Sequence, residues 1–319
     1  MTAAPASAAA DVLVIGESVM DIILTRDEEL HRPGGSPMNV AVGLAKLGNR
    51  VELLTNLGAD PAGHAITRHL ELAGVRVLDA SYTADPTSHA RATLAADGSA
   101  TYDFDIVWRL PETSLRPQRV IHTGSIGAVL EPGAHRVHRI IESQPQALIS
   151  FDPNIRPGIM GTPDKVRRMV EATSAVAHVV KMSEEDAEWL YPGAGADVVC
   201  RALIAAGARL AIVTLGADGS IVHTPDFALR LPALSAVVAD TVGAGDSFTS
   251  ALLAGIIRRD LVDTLREARL GRGEATDLAT EAMAAAAITV SRTGANPPTI
   301  GELEAYLTEA GRHTADTEH

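Results

Sequence analysis

The sequence predicts an α/β fold in which helices cover a mainly parallel sheet. Short apolar runs typical of buried strands alternate with segments whose apolar residues recur at helical spacing, and this alternation favours a parallel sheet. The hydrophobic fraction of 46% is enough for a large core, and with aromatic residues at 3% that core must consist mainly of Ala, Val, Leu and Ile. The 319 residues contain no repeat and no low-complexity linker, so one main domain is favoured.

The chain begins with a buried strand and then a more exposed one. Residues 11–16 form an apolar run that ends in glycine, and residues 19–24 alternate less cleanly. A turn over 34–38 precedes apolar residues at helical spacing from Asn39 onward, and Gly48 is the stop signal of that helix. Strands at 51–55 and 75–78 and a helix at 63–73 are expected next.

Residues 88–108 differ in character from the segments around them. Asp97-Gly98 separates two strand-like runs, which is a hairpin signal. We expect this hairpin and residues 18–33 to form a small separate sheet.

Beyond Pro111 the alternation of strand and helix is regular. Strands are predicted at 119–123, 147–152, 177–181, 210–214 and 220–224, and helices at 132–142, 163–173, 184–190, 196–206, 244–258 and 274–291. The ends of the chain, 1–10 and 313–319, are expected to be disordered, which leaves 11–312 as the folded domain.

Charge and composition exclude several classes of function. The formal net charge of −13 opposes nucleic-acid binding, which depends on many Lys and Arg contacts to phosphates. Cys200 is the single cysteine, so an internal disulfide and a cysteine zinc site are both excluded. No uncharged apolar stretch reaches 18 residues, and the N-terminus lacks the basic start of a signal peptide. We therefore expect a cytoplasmic protein without membrane contact.

The segment from Asp240 to Asp246 combines a glycine-rich loop with the start of a helix. Gly243 and Gly245 flank Ala244, and the first N–H groups of the helix have no partner within it. Such a helix start attracts anions and suits the charge of a transferring phosphoryl group. Asp246 is placed to accept a proton from a hydroxyl, although an aspartate here could equally cap the helix.

A second glycine-rich segment lies near the N-terminus. Gly34 and Gly35 permit close approach of a ligand to the backbone, and the Asn39 amide offers a donor and an acceptor to sugar hydroxyls. Asn39 is also a residue that favours helix N-caps. Asp21 follows a strand-like run and is either a hydroxyl acceptor or a solvated surface carboxylate.

Three further segments carry polar groups at predicted loop positions. Residues 152–156 follow a strand, so Arg156 should lie at the sheet edge where α/β proteins bind ligands. Asp152 and Asn154 could simply shape the turn.

The glycine-rich turn 214–219 joins two strands. The acidic cluster 183–186 opens a helix and could organise Mg²⁺ through waters.

Together these segments resemble the ribokinase-like (PfkB) carbohydrate kinase family over about residues 10–310. The run from Gly34 through Asn39 and on to Gly58 looks like the N-terminal signature of that family, and Asp240 to Gly255 looks like its C-terminal signature. The chain is most similar to bacterial fructokinases, in Gly16-Glu17 with Asp21, in the run 151–156 and in the run 181–185.

The resemblance implies a fold and a set of residue roles. The fold is a doubly wound α/β/α sandwich with a small β lid, formed by 18–33 and 88–108. The resemblance implies that Asp246 is the base and that Gly243, Ala244 and Gly245 form the anion hole. It implies the sugar contacts Asp21, Gly34, Gly35, Asn39 and Arg156, and the ATP contacts Thr214, Gly216, Gly219 and Lys181. It also implies that Asp186 or Glu185 serves Mg²⁺ and that Asp240 holds a monovalent cation such as K⁺.

The implied activity is transfer of the γ-phosphoryl group of ATP to a hydroxyl of a small sugar, with fructose as the expected acceptor. A homodimer formed through the lid is also implied. A 2-keto-3-deoxygluconate kinase, which needs a cation such as Arg109 or Arg156 for the substrate carboxylate, and a nucleoside kinase are alternatives. A non-catalytic sugar sensor on the same fold is a third.

Two departures from the family pattern bear on the site. The family motif Asn-x-x-Glu is replaced by Ser183 and Asp186, which makes Glu185 a substitute metal residue. Met38 and the run 157–161 also differ from many fructokinases, so the shape of the sugar pocket is expected to differ there.

Overall fold

A computed structural model describes residues 10–24, 28–94 and 100–317. Its strands are β1 (Val12–Ile15), β2 (Val19–Leu24), β3 (Glu29–Gly34), β4 (Val51–Leu54), β5 (Leu57–Gly58), β6 (Val75–Val77), β7 (Tyr82–Thr83), β8 (His89–Leu94), β9 (Ala100–Asp105), β10 (Val120–Gly124), β11 (Leu148–Asp152), β12 (Val179–Ser183), β13 (Leu210–Thr214), β14 (Ser220–His223) and β15 (Ala228–Leu231).

The helices alternate with these strands. They are α1 (Ser36–Lys46), α2 (Pro61–Leu72), α3 (Ser125–Val129), α4 (Gly133–Glu142), α5 (Pro157–Met160), α6 (Pro163–Ser174), α7 (Glu184–Leu190), α8 (Ala196–Ala206), α9 (Ala244–Arg258), α10 (Val262–Arg266), α11 (Arg272–Val290) and α12 (Ile300–Thr317).

A nine-stranded sheet forms the centre of the fold, in the order β15-β14-β13-β12-β11-β10-β1-β4-β6. All neighbours pair in parallel except β13 with β14 and β14 with β15. Alternate residues of β1 enter two cores: Val12 and Val14 face α1, α9 and α11, while Leu13 and Ile15 face α3, α4 and α6. The prediction of a doubly wound, mainly parallel α/β fold is therefore confirmed.

The order of the strands reverses between β1 and β10. From β1 the chain adds β4 and β6 on one side, and then returns to add β10 to β13 on the other. Ligands of open α/β sheets bind at the carboxyl ends of the strands beside such a switch point. Glu17 and Ser125, which follow β1 and β10, lie at this edge.

A second sheet of four strands has the order β3-β2-β8-β9. Its strands lie within the two segments expected to form a separate sheet, 18–33 and 88–108, apart from Gly34 at the end of β3. β8 and β9 form the antiparallel hairpin predicted from Asp97-Gly98; the turn itself lies outside the described residues. β2 and β8 pair in parallel, which joins the two segments.

The predicted turn at 34–38 is wrong in its second half, because α1 begins at Ser36 and not at Asn39. Pro37 stands in the first helical turn, where its missing N–H is no loss. Gly35 is the N-cap, so Asn39 lies inside the helix and does not cap it.

Several short or polar elements were not predicted. They are β5, β7, β15, α3, α5, α10 and α12. α12 continues to Thr317, so residues 313–317, expected to be disordered, are helical. Extending an existing helix avoids the unfavourable nucleation step, which explains how a polar segment remains helical. No helix among the described residues is long and apolar enough to span a membrane.

Replacing Leu253 by Ala should destabilise the protein strongly, because this α9 side chain is fully buried against the sheet. Leucine-to-alanine changes in a core cost about 2–5 kcal/mol. Leu72 at the end of α2 is 80% exposed and is the matched control, with an expected change below about 0.5 kcal/mol. Urea denaturation of both variants measures the difference, and equal losses would contradict this packing.

Candidate active site

The loop before α9 places Asp246 in the first turn of that helix. The N-cap residue Gly243 has a φ of 78°, a left-handed conformation that suits glycine, and a Cβ there would lie 2.6 Å from the Cβ of Ala295. In this conformation the Ala244 N–H donates to the Thr241 carbonyl at 3.3 Å, and the role of Gly243, Ala244 and Gly245 as an anion hole stays a prediction.

The carboxylate of Asp246 is buried, with 6% of the residue exposed, and it binds neighbouring elements instead of capping α9. Its Oδ1 accepts hydrogen bonds from Ser36 Oγ at 2.7 Å and from Asn154 Nδ2 at 3.3 Å. Its Oδ2 accepts one from Asn39 Nδ2 at 2.8 Å. Burial raises the pKa of Asp246 above its ordinary value, and the hydrogen bonds from Ser36 and Asn39 oppose this increase.

A buried ion pair lies beside this carboxylate. Lys181 Nζ donates to Asp152 Oδ2 at 2.9 Å, and Thr249 Oγ1 of α9 donates to the same oxygen at 3.2 Å. Burial favours the neutral amine, but Asp152, Asp186 and Asp246 outweigh burial and raise the pKa of Lys181. The Lys181 ammonium lies next to the start of α9. A Cβ built on Gly245 would be 2.8 Å from Lys181 Nζ.

Asp186 organises the start of α7. Its Oδ1 accepts the Ile155 N–H at 2.8 Å, and its Oδ2 accepts the Ser183 N–H at 3.3 Å. Ser183 Oγ accepts the Asp186 N–H in return, which completes a capping box. Burial raises the pKa of Asp186.

The carboxylates beside the cavity suit a metal ion held mainly through waters. In the described part of the chain, no group of three His, Cys, Asp or Glu side chains is arranged to hold one. Mg²⁺ usually takes one or two protein carboxylates and completes its shell with waters and substrate phosphates. Asp186 and Glu185, which line the same cavity, fit such a water-mediated role.

A polar cavity of about 490 Å³ opens beside Asp246. Its charged lining residues are Glu17, Asp21, Arg156, Lys181, Glu185, Asp186 and Asp246. Gly35 and Asn39 also line it, whereas Gly34 lies behind Asp21, where a Cβ would be 2.2 Å from Asp21 Oδ2. Burial raises the pKa of Asp21 to about 6, an effect that the charge of Arg156 opposes.

A second, apolar cavity of about 520 Å³ lies on the other side of the loop. Thr214, Gly216 and Gly219 line it together with Leu234, Phe248, Met283 and other uncharged residues. Thr241 and Gly245 line both cavities, so the two meet at the N-terminus of α9. Lys181 lines the polar cavity and not the apolar one.

Comparison with known proteins decides the family. The model of the pfkB family carbohydrate kinases matches residues 9–300. This chain belongs to the pfkB family of carbohydrate kinases. It is 32% identical over 298 residues to a probable fructokinase-4 of Arabidopsis thaliana, an alignment that covers 87% of this chain and 88% of the plant protein.

Solved structures of kinases share the fold. A Vibrio cholerae fructokinase in its fructose-, ADP- and calcium-bound form has a TM-score of 0.77 and 25% identity, with 93% of this chain and 98% of that chain covered. An aminoimidazole riboside kinase of Salmonella enterica with aminoimidazole riboside and an ATP analog has a TM-score of 0.74 and 26% identity, with 93% and 99% covered.

Three polar residues of this pfkB site were not assigned roles in the sequence analysis. Ser36 contacts Asp246, and Glu17 and Ser125 line the polar cavity. Glu17 Oε2 accepts the Gly127 N–H at 2.8 Å, and burial raises the pKa of Glu17 to about 7. Glu17 lies two residues after β1 and Ser125 directly after β10, the strands that flank the switch point, and this position is the signal that could have identified them.

Asp240 lies on the rim of the loop. Its two carboxylate oxygens accept the N–H groups of Val242 at 3.0 Å and Gly294 at 2.8 Å, and these bonds lower the pKa of Asp240. The ionised side chain thus fixes the loop, and a monovalent cation at Asp240 stays a prediction.

Replacing Lys181 by Met should destabilise the protein by about 3–5 kcal/mol, because Asp152 then remains as a buried charge without its cation. Changing Asp152 to Asn in the same chain removes that charge and should restore most of the loss. Urea denaturation of the single and double variants is the measurement. A double variant as unstable as Lys181→Met would refute this account of the ion pair.

Proposed function

We propose that this pfkB kinase is an ATP-dependent fructokinase that phosphorylates a primary hydroxyl of fructose. The observation that carries the proposal is the junction of the polar and apolar cavities at the start of α9, with Asp246 on the polar side. The apolar cavity is suited to the nucleotide and the polar cavity to the sugar. The similarity to the plant and Vibrio cholerae fructokinases supports this choice of substrate.

Asp246 acts as the general base in this proposal. Its carboxylate takes the proton of the sugar hydroxyl while that oxygen attacks the γ-phosphorus of ATP. The bond between the γ-phosphorus and the bridging oxygen breaks, and ADP leaves with the electron pair. Asp246 later releases the proton to solvent, since the sugar product no longer occupies its acceptor site.

The start of α9 and Lys181 stabilise the transferring phosphoryl group. Gly243, Ala244 and Gly245 lie at the junction, where the Ala244 N–H would have to leave the Thr241 carbonyl to reach a phosphoryl oxygen, and the helix dipole adds positive potential. The ammonium of Lys181 lies beside Gly245 and adds positive potential there, which its pairing with Asp152 reduces. Mg²⁺, when bound with ATP near Asp186 and Glu185, would neutralise phosphate charge.

The charges of the polar cavity favour a neutral sugar over a sugar acid. Five carboxylate residues line it against two cations, Arg156 and Lys181. Lys181 is paired with Asp152, and the Arg156 guanidinium donates to carbonyl and amide oxygens of the 154–155 turn. Arg109 pairs with Asp85 and does not line the cavity. A carboxylate such as that of 2-keto-3-deoxygluconate would therefore face five carboxylate residues, with the paired Lys181 and the donors of Arg156 other than Nη1 as its cationic partners in the lining.

The four-stranded sheet is proposed to act as a lid over the sugar. Val19 and Asp21 of β2 and Ala90 of β8 line the polar cavity, so this sheet forms one of its walls. A closed wall would exclude water and limit hydrolysis of ATP. A homodimer through this sheet, a K⁺ requirement and a cytoplasmic location remain predictions.

Replacing Asp246 by Asn should lower kcat by about 10²–10⁴-fold, because the amide cannot accept the proton. The sugar KM should change little, since the side chain keeps its size. Asp164 lies in the first turn of α6 and is exposed, so Asp164→Asn is the matched control with wild-type turnover.

The assay is coupled ADP detection on a panel of fructose, 2-keto-3-deoxygluconate and a nucleoside, with and without K⁺. Highest kcat/KM on fructose supports the proposal. Near-normal turnover by a folded Asp246→Asn variant would exclude this mechanism. Sugar-dependent thermal stabilisation of the wild type without ADP formation would instead indicate a sensor.

Replacing Gly34 by Ala should raise the sugar KM by tenfold or more with little loss of stability. The added methyl group would displace the Asp21 carboxylate, the mobile end of a side chain, rather than backbone. Gly273→Ala, where the added methyl meets no atom within 4 Å, is the control. Steady-state kinetics together with thermal unfolding measure both effects, and an unchanged sugar KM would argue against Asp21 as a sugar contact.

A further inference from the structure

We infer that Ser36 is a positioning residue that fixes the Asp246 carboxylate, so that Oδ2 is the oxygen that takes the proton. This inference rests on the proposed function, in which Asp246 is the base. The resemblance to kinases assigned the glycines beside Ser36 and Asn39 to the sugar. The hydrogen bonds of the structure instead direct Ser36 and Asn39 toward Asp246.

The contact between Ser36 and Asp246 is short and shielded from water. Ser36 Oγ donates to Oδ1 at 2.7 Å, and both residues are buried. Ser36 is the first residue of α1 and Asp246 lies in the first turn of α9, and these two helices pack side by side. One hydroxyl therefore joins the starts of two helices that are 210 residues apart in the chain.

Counting acceptor sites distinguishes the two oxygens. A carboxylate offers about four lone-pair sites, two on each oxygen. Oδ1 accepts hydrogen bonds from Ser36 and from Asn154, which fills both of its sites. Oδ2 accepts only the amide hydrogen of Asn39 among the described residues, so one site on Oδ2 is left for a hydroxyl of the substrate.

Ser36 also favours the ionised form of the base. A hydroxyl that donates to a carboxylate stabilises its charged form, so loss of the hydroxyl raises the pKa of the acid. The charged groups that face Asp246 are Asp152 of β11, which opposes ionisation, and Lys181 of β12, which favours it. Glu17, Asp21, Arg156, Glu185 and Asp186 line the same cavity. Replacing Ser36 changes none of these charges.

The test compares Ser36→Ala with Ser250→Ala. Ser250 is a fully buried serine at the same α1–α9 interface, close to Gly43, and its hydroxyl donates to the Ser247 carbonyl and not to Asp246. We expect Ser36→Ala to move the acid limb of the kcat–pH profile upward by about 0.5–1 pH unit, because a hydrogen bond to a charged group is lost. On the acid side of that limb kcat should fall about 3–10-fold, the ratio that a shift of 0.5–1 pH unit produces, and above the limb it should approach the wild-type value, with the sugar KM within about twofold. Ser250→Ala should leave the profile in place.

A measurement without turnover separates this inference from the proposed function. The pKa of Asp246 is followed by carbon NMR of labelled aspartate carboxyl groups in the ligand-free protein, with Asp246→Asn identifying the signal. A higher pKa in Ser36→Ala supports the inference even if no sugar on the panel is phosphorylated. An active wild type whose Ser36→Ala variant keeps the acid limb at the wild-type pH overturns it and leaves the proposed function intact. A Ser36→Thr variant that restores the wild-type profile supports it.

Discussion

The burial of one carboxylate, that of Asp246, is the constraint on which the rest of the site depends. A carboxylate removed from water is strongly unfavourable unless hydrogen bonds and charges replace its hydration. Here Ser36 and Asn39 come from α1, Asn154 from the loop after β11, and Lys181 from β12. Elements from both halves of the chain must therefore meet at the start of α9 before the carboxylate can remain buried.

The sheet topology brings these elements to one edge. β11 and β12 are parallel neighbours, so the Asn154 loop and the start of α7 leave the sheet on the same side. The switch point between β1 and β10 adds Glu17 and Ser125 to that edge. The four-stranded sheet adds a wall at this edge, where Val19 and Asp21 of β2 and Ala90 of β8 line the polar cavity.

Much of the fold could be predicted from the sequence, because apolar periodicity reports burial directly. The strands β10 to β14 and the helices α4, α6, α7, α8 and α9 lie within two residues of their expected bounds. Elements such as β15 and α10 were missed because they are short, and the start of α1 was displaced because Pro37 looks like a turn residue although it suits a first helical turn.

Many residues of the candidate site could be predicted from the sequence, but the contacts between them could not. Asp246, Asp21, Thr214 and Gly216 carry types and spacings that point to ligands, and all four line a cavity. Asn39 and Ser36 both donate hydrogen bonds to Asp246, which is more than 200 residues away in the sequence. Such contacts leave no local pattern, so only the packing of α1 against α9 reveals them.

The narrow junction of the two cavities has a kinetic consequence. The cavities share only Thr241 and Gly245 among the described residues, and the base lies on one side of that junction. Direct transfer across this junction requires the attacking hydroxyl and the phosphoryl donor to occupy the protein at the same time, one in each cavity. Initial-velocity plots for the two substrates should accordingly intersect, as they do for enzymes that form a ternary complex, and should not run parallel.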